Sequence, residues 1–227
     1  MEAALERYRI PDIPESMFYI HDYISLEEEA KILSQIPKNK WITLSHRRLQ
    51  AVPAPLSGNN TLLTTRELPV YLYNPVVNRL HNDFDFEKIN HCLINEYPPG
   101  VGIMAHEDGP AYHPMVATVS LGGSIVLDVA EKGGEAKRWH ILQEPRSLLV
   151  TMGQAYTETR HGIGDVLRDE GLERETVANW DLLGVEERKS IEENGGVNVR
   201  QTRVSLTFRS VKKVSTLGGK VFGKVRR

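Results

Sequence analysis

The chain is poor in cysteine: one residue, Cys92, in 227. An intramolecular disulfide is therefore excluded, and a reducing compartment is expected. Long apolar runs are missing too. Met115 to Ile125, with its Gly and Ser interruptions, falls well short of the roughly 18 to 20 residues that cross a bilayer, so no membrane-spanning helix is expected. The first residues, Met1-Glu2-Ala3-Ala4-Leu5-Glu6-Arg7, lack the basic stretch and apolar block of a secretory signal. Aromatic side chains are only 7% of the total, but 40% apolar and 26% charged residues describe an ordinary globular chain, large enough for one sizeable core or two small ones.

A strong net charge is also lacking, since the sum is -2 at pH 7. The average hides a segregation. From Arg200 onward there are nine basic residues and no Asp or Glu, which leaves 19 basic and all 30 acidic residues in 1–199. A basic end on an acidic body fits a polyanion-binding arm or a nuclear-import signal, or a tail that docks on its own body. Cytoplasmic and nuclear localisation and a monomer are expected.

Along the chain, Ser25 and Glu28 form a capping-box pattern before Leu26, Ala30, Leu33 and Ile36, predicting a helix from about 26 to 36 that Pro37 stops. A second helix is predicted over Val70 to His81. Arg47 to Asn60 reads as a long surface loop because it is rich in Pro, Gly and Asn. After His91 come eight strand-like runs: Cys92–Tyr97, Gly102–His106, Met115–Leu121, Ser124–Val129, Trp139–Leu142, Ser147–Met152, Tyr156–His161 and Arg203–Arg209. They predict a mainly β sandwich or jelly roll with flanking helices. Residues 1–90 form an N-terminal α/β extension with a substrate-facing loop, 91–210 the core, and 211–227 a basic tail. The charged stretch 162–199, with Trp180, Leu183 and Val185 as its few large apolar residues, reads as an insertion, part helical and part mobile.

Chemistry enters with His106-Glu107-Asp108. On a strand His106 and Asp108 share a face while Glu107 points away. His81-Asn82-Asp83 has the same spacing and no downstream partners. His161, at the end of a strand-like run, is the best third ligand. Two imidazoles and a carboxylate make the facial triad of non-haem Fe(II) oxygenases, although zinc hydrolysis uses similar donors. Further on, Arg203-Val204-Ser205-Leu206-Thr207-Phe208-Arg209 alternates with a period of two, so both arginines share one face. Two guanidinium groups inside a barrel need anions, and a dicarboxylate cosubstrate has two. Asn95 and Tyr97 also share a face and could donate to the same carboxylate.

The ordered set Asn95-x-Tyr97, Pro99-Gly100, His106-x-Asp108, His161-Gly162 and Arg203 followed by Arg209 resembles the AlkB family of Fe(II)- and 2-oxoglutarate-dependent dioxygenases. Leu93 to Tyr97 and Gly102 to Tyr112 are most similar to the branch called AlkB homologue six. The resemblance covers about residues 17 to 210. It implies a double-stranded β-helix, iron on His106, Asp108 and His161, and 2-oxoglutarate held by Asn95, Tyr97 and Arg203, with Arg209 near the chelating end. The implied chemistry couples decarboxylation of 2-oxoglutarate by dioxygen to hydroxylation of an N-alkyl carbon, which leaves as formaldehyde. Two features depart from the bacterial repair members: Pro110 stands where they carry a base-contacting acid, and the stretch from His161 to Arg203 is longer. Candidate substrate contacts are Trp41, His46, Arg47, Arg48, Gln50, Tyr112 and His113, since aromatic and guanidinium planes stack on bases. Alkylated DNA or RNA is the expected partner. A protein side-chain hydroxylase or demethylase, and a non-catalytic nucleic-acid-binding module, are the alternatives.

Overall fold

The computed structural model describes residues 5–13, 16–44, 47–84, 86, 88–133 and 137–216. Fifteen strands can be followed in it: β1 Met17–Ile20, β2 Ile42–Leu44, β3 Arg47–Val52, β4 Thr61–Leu63, β5 His91–Tyr97, β6 Ile103–His106, β7 Tyr112–Gly122, β8 Ile125–Glu131, β9 Arg138–Gln143, β10 Leu148–Met152, β11 Thr159–Ile163, β12 Arg168–Asp169, β13 Asn198–Val199, β14 Arg203–Val211 and β15 Lys213–Ser215. Two antiparallel sheets face each other as a jelly roll. The larger runs β1-β10-β7-β14-β5-β3-β2 and the smaller β6-β11-β8-β9.

The alternation of β14 sorts its side chains as its sequence demands. Val204, Leu206 and Phe208 enter the outer core, whereas Arg203, Ser205, Thr207 and Arg209 line the cavity between the sheets. Two helices cover the outer core. The first, α1 (Leu26–Gln35), is closed by a capping box in which the Glu28 amide donates to Ser25 Oγ (3.1 Å) and the Ser25 amide to Glu28 Oε2 (2.8 Å). The second, α2, consists of Val70–Leu72, a π-helical Tyr73–Val77 and Asn78–Phe84. Pro75 lies within the widened turn, because it has no N–H to donate and its ring would crowd the preceding turn of a regular helix.

Two predicted elements change character. Arg47–Val52, expected within a surface loop, is strand β3, paired with both β2 and β5. Its β5 partners lie 40 to 48 residues away, so local Pro and Gly content does not report them. The predicted strand Tyr156–His161 begins as a helix, α3 (Gly153–Glu158), and becomes β11 only from Thr159. Gly153, at φ +54°, turns the chain out of β10, and Ala155 is the buried side chain that seats the helix.

The insertion packs against the smaller sheet. Leu172, Val177, Trp180, Leu183 and Ile191 are buried in the second core, and helix α4 (Val185–Glu193) lies over it. Val185 is instead 66% exposed. The fully buried Asn179 mimics a strand partner for β9: its Nδ2 donates to Leu142 O (2.8 Å) and its Oδ1 accepts from Leu142 N (2.9 Å). A buried Arg200–Asp169 pair at 2.6 Å closes the excursion. Most of the basic tail, 217–227, and His46 lie outside the described residues.

Candidate metal and cosubstrate site

His106 ends β6, and its antiparallel neighbour across the ladder is His161 of β11. The imidazole centroids are therefore only 4.5 Å apart. Asp108 sits two residues past the end of β6, on a loop, so its approach depends on that turn and not on strand alternation. Ligand atoms of His106, Asp108 and His161 lie within 4.8 Å of one another, the sole group of three metal-type donors among the described residues. The decoy residue Asp83 lies in α2, away from this group.

The surroundings prepare these donors. His106 Nδ1 lies 2.8 Å from Met104 O; a carbonyl only accepts, so Nδ1 carries the proton and Nε2 is left with a free lone pair. Burial is the largest influence on His161 and pushes its pKa down to about 4, despite the opposing pull of Asp108. It is a neutral ligand at physiological pH. One carboxylate oxygen of Asp108 accepts from Arg209 Nη2, and its backbone carbonyl accepts from Tyr156 Oη (3.2 Å). Glu107 faces outward, where Lys132 Nζ donates to it at 2.7 Å. Hydrogen bonding from Lys132 holds the Glu107 carboxyl below its ordinary pKa.

A second centre lies deeper in the same cavity of about 310 Å³. Arg203 is 2% exposed. Its Nε donates to Ser120 Oγ (3.0 Å) and its Nη2 to Gln143 Oε1 (2.8 Å), both neutral partners. Among the described residues no carboxylate pairs with it. Burial pushes its pKa down to about 10, so it is still a cation at neutral pH. Tyr97 is held in place across the β14–β5 ladder, with the guanidinium 5.7 Å from its ring centre. Burial raises the phenol above its ordinary pKa, and Arg203 partly offsets this. Asn95 Oδ1 and Arg209 Nε are buried without partners. A buried, uncompensated cation beside orphaned polar atoms, at some remove from a three-donor metal set, fits a bound dicarboxylate with one end on the metal. The residues therefore suit Fe(II) and 2-oxoglutarate.

The structure brings together His106, Asp108, His161, Asn95, Tyr97, Arg203 and Arg209, and adds Arg47 and Tyr112 to the same wall. Tyr112 lies against Arg209, whose guanidinium is 4.9 Å from the ring centre. Trp41, Arg48, Gln50 and His113 are not in the cavity lining. Arg48 clamps Glu96 through two hydrogen bonds (2.6 and 2.7 Å) and stacks on Trp41 at 4.7 Å. Trp41 itself packs against the outer core. Gln50 is 2% exposed and donates to Pro37 O (2.9 Å). Ser120, Gln143 and Tyr156 were not anticipated. Tyr156 was hidden by the strand expectation, while nothing local distinguishes Ser120 or Gln143 from other strand residues.

Comparison with known proteins agrees with this geometry. Residues 16–209 match the 2OG-Fe(II) oxygenase superfamily. A probable RNA/DNA demethylase, ALKBH6, of Danio rerio is 36% identical over 92% of both chains. A tRNA (carboxymethyluridine(34)-5-O)-methyltransferase, alkbh8, of Xenopus tropicalis is 27% identical, and the match covers 89% of this chain but 32% of that protein. The solved structure of OsALKBH1 superposes with a TM-score of 0.58 at 16% identity, over 87% of this chain and 99% of that one. A Pseudomonas putida prolyl-4-hydroxylase gives 0.52 at 11% identity, over 92% and 99%. These two likenesses show the jelly-roll fold alone.

Proposed function

The chain belongs to the 2OG-Fe(II) oxygenase superfamily and is a dioxygenase of that family, and from this premise we propose that it oxidatively removes N-alkyl groups from nucleic-acid bases. One observation carries the assignment to this chemistry: among the described residues the buried Arg203 has no counter-ion, in a cavity that also holds the His106, Asp108 and His161 donors. Its missing partner matches the distal carboxylate of 2-oxoglutarate. The relatives named for RNA, DNA and tRNA support a nucleic-acid substrate.

In this reading His106, Asp108 and His161 would hold Fe(II), which with 2-oxoglutarate and dioxygen supplies the oxidising power. The remaining work belongs to the protein. Arg203, assisted by Tyr97 and Asn95, grips the distal carboxylate and so fixes the direction of the cosubstrate. Arg209 neutralises and aims Asp108. The apolar wall of Leu127, Val129 and Ile163 keeps bulk water away. An alkylated base enters from a single strand or leaves its stack to reach the site. The hydroxylated N-alkyl carbon then departs as formaldehyde.

The test is succinate and formaldehyde release with iron, ascorbate and 2-oxoglutarate, across methylated DNA, methylated RNA and methylated peptides. Formaldehyde released in stoichiometry with succinate on a nucleic acid is the expected result. Coupled turnover on peptides alone would overturn the substrate assignment and install the protein-modifying alternative.

A further inference from the structure

Among the described residues three guanidinium groups face the cavity, and only one has an acid to match it. Arg209 pairs with Asp108. Arg203 has neutral partners and is reserved for the distal carboxylate. Arg47, from the first position of β3, also lines the cavity. Its Nε is buried without a hydrogen-bond partner, and among the described residues no carboxylate lies within ion-pair distance of it. Its neighbour in sequence makes the contrast. Arg48, on the other face of the same strand, is fully matched by Glu96.

Asp108 is the sole acid among the described residues that line the cavity. With neutral imidazoles the wall therefore carries three positive charges and one negative. Loading Fe(II) and 2-oxoglutarate adds two positive and two negative charges, which cancel. The loaded cavity keeps its positive excess, and Arg47 is the cation that neither cofactor nor cosubstrate consumes. Alkylation of a ring nitrogen such as N1 of adenine or N3 of cytosine makes the base a cation. Alkylation at N1 of guanine or N3 of thymine leaves it neutral. A cationic base entering a desolvated, positively charged cavity without an acid to meet it is opposed by Coulomb repulsion and by the lack of a hydrogen-bond acceptor.

We infer that this site selects electrically neutral alkylated bases over cationic ones, with Arg47 as the specificity-determining residue, its guanidinium facing an acceptor oxygen of the base or the adjoining phosphate. The inference rests on the nucleic-acid reading above and narrows its substrate class.

The experiment uses the full chain loaded with Mn(II) and 2-oxoglutarate for binding, and with Fe(II) for turnover. The probes are short single strands of one sequence carrying N1-methylguanine, N3-methylthymine, N1-methyladenine, N3-methylcytosine or no modification. Neutral bases should be favoured in both affinity and kcat/KM by on the order of tenfold or more, the effect of a unit charge several ångströms away at an intermediate dielectric. Arg47→Gln should narrow that gap several-fold with 2-oxoglutarate affinity unchanged, Arg47→Lys should restore it, and Arg48→Gln should leave it as it was. Equal or better handling of the cationic bases overturns the inference. So does an Arg47→Gln variant that weakens 2-oxoglutarate binding tenfold, which would assign Arg47 to the cosubstrate. If modified strands bind no better than the unmodified one and none is turned over, the nucleic-acid reading itself falls, a result distinct from a wrong order among bases that are processed.

Discussion

Replacing Arg203 by methionine separates what the residue does for folding from what it does for the cosubstrate. In the wild type a cation is 2% exposed, and among the described residues its hydrogen bonds go to Ser120 and Gln143. Burial pushes its pKa down to about 10 from 12.5, which at 1.36 kcal/mol per unit corresponds to a cost of about 3 kcal/mol for keeping the charge there. Two hydrogen bonds return about 1 kcal/mol each. Methionine fills much of the same volume without charge, and Ser120 Oγ still donates to Gln143 Oε1 at 3.3 Å. The unloaded variant should therefore be as stable as the wild type or slightly more so in urea unfolding. Binding should respond in the opposite sense. A carboxylate delivered to a site that has lost its buried charge partner forfeits about 2 to 5 kcal/mol, roughly 30-fold to several thousand-fold in affinity. Titration of 2-oxoglutarate into the Mn(II)-loaded protein by calorimetry measures it. An unchanged dissociation constant, or a loss of more than about 2 kcal/mol in the unloaded protein, refutes the reasoning.

Asp108→Asn should abolish binding of one Mn(II) per chain and Fe(II)-dependent turnover, whereas Asp83→Asn, at an exposed position of the His81-x-Asp83 pair, should leave both intact; equilibrium dialysis and succinate release check the pair. Trp180→Ala should cost about 3 to 5 kcal/mol in urea unfolding, because a large side chain 5% exposed leaves a cavity in the second core. The metal-free protein should lose stability on acidification. Burial lowers the pKa of both His91 and His161 to about 4 from 6.5, so the unfolded chain binds more protons between these values; their contribution is complete above pH 6.5 and drains away as pH falls toward 4. His91→Leu should flatten that slope, as seen by urea unfolding at pH 7 and pH 5, and an unchanged slope would remove His91 as a cause.

The site was more legible than the scaffold that carries it, for physical reasons. Arg203 to Arg209 declares its two faces by strict alternation, and an inward face that begins and ends on arginine requires an anionic partner whatever the fold. The His106, Asp108 and His161 set is legible for the same reason: metal donors are chemically distinctive residue types. Position was harder to read. Asp108 reaches the metal site from a loop beyond the strand end, and the turn that brings it there leaves no periodic signature. Tyr156 falls in a short helix whose residues read equally well as strand. The insertion reads as part mobile because its charges dominate its composition, yet spaced apolar residues such as Leu172, Trp180 and Ile191 seat it on the second core.

Arg47 and Arg48 show what local pattern withholds. They are adjacent and chemically identical, and the alternation of β3 sends them to opposite faces of one sheet. The difference between them is a counter-charge, Glu96, supplied to Arg48 from β5, 48 positions further along the chain. Sequence periodicity reports which residues share a face, but whether a charge on that face is already answered depends on a partner strand whose register only the folded ladder sets. That is why two arginines expected to act together divide into a structural clamp and a cation that faces the cavity with no carboxylate partner among the described residues.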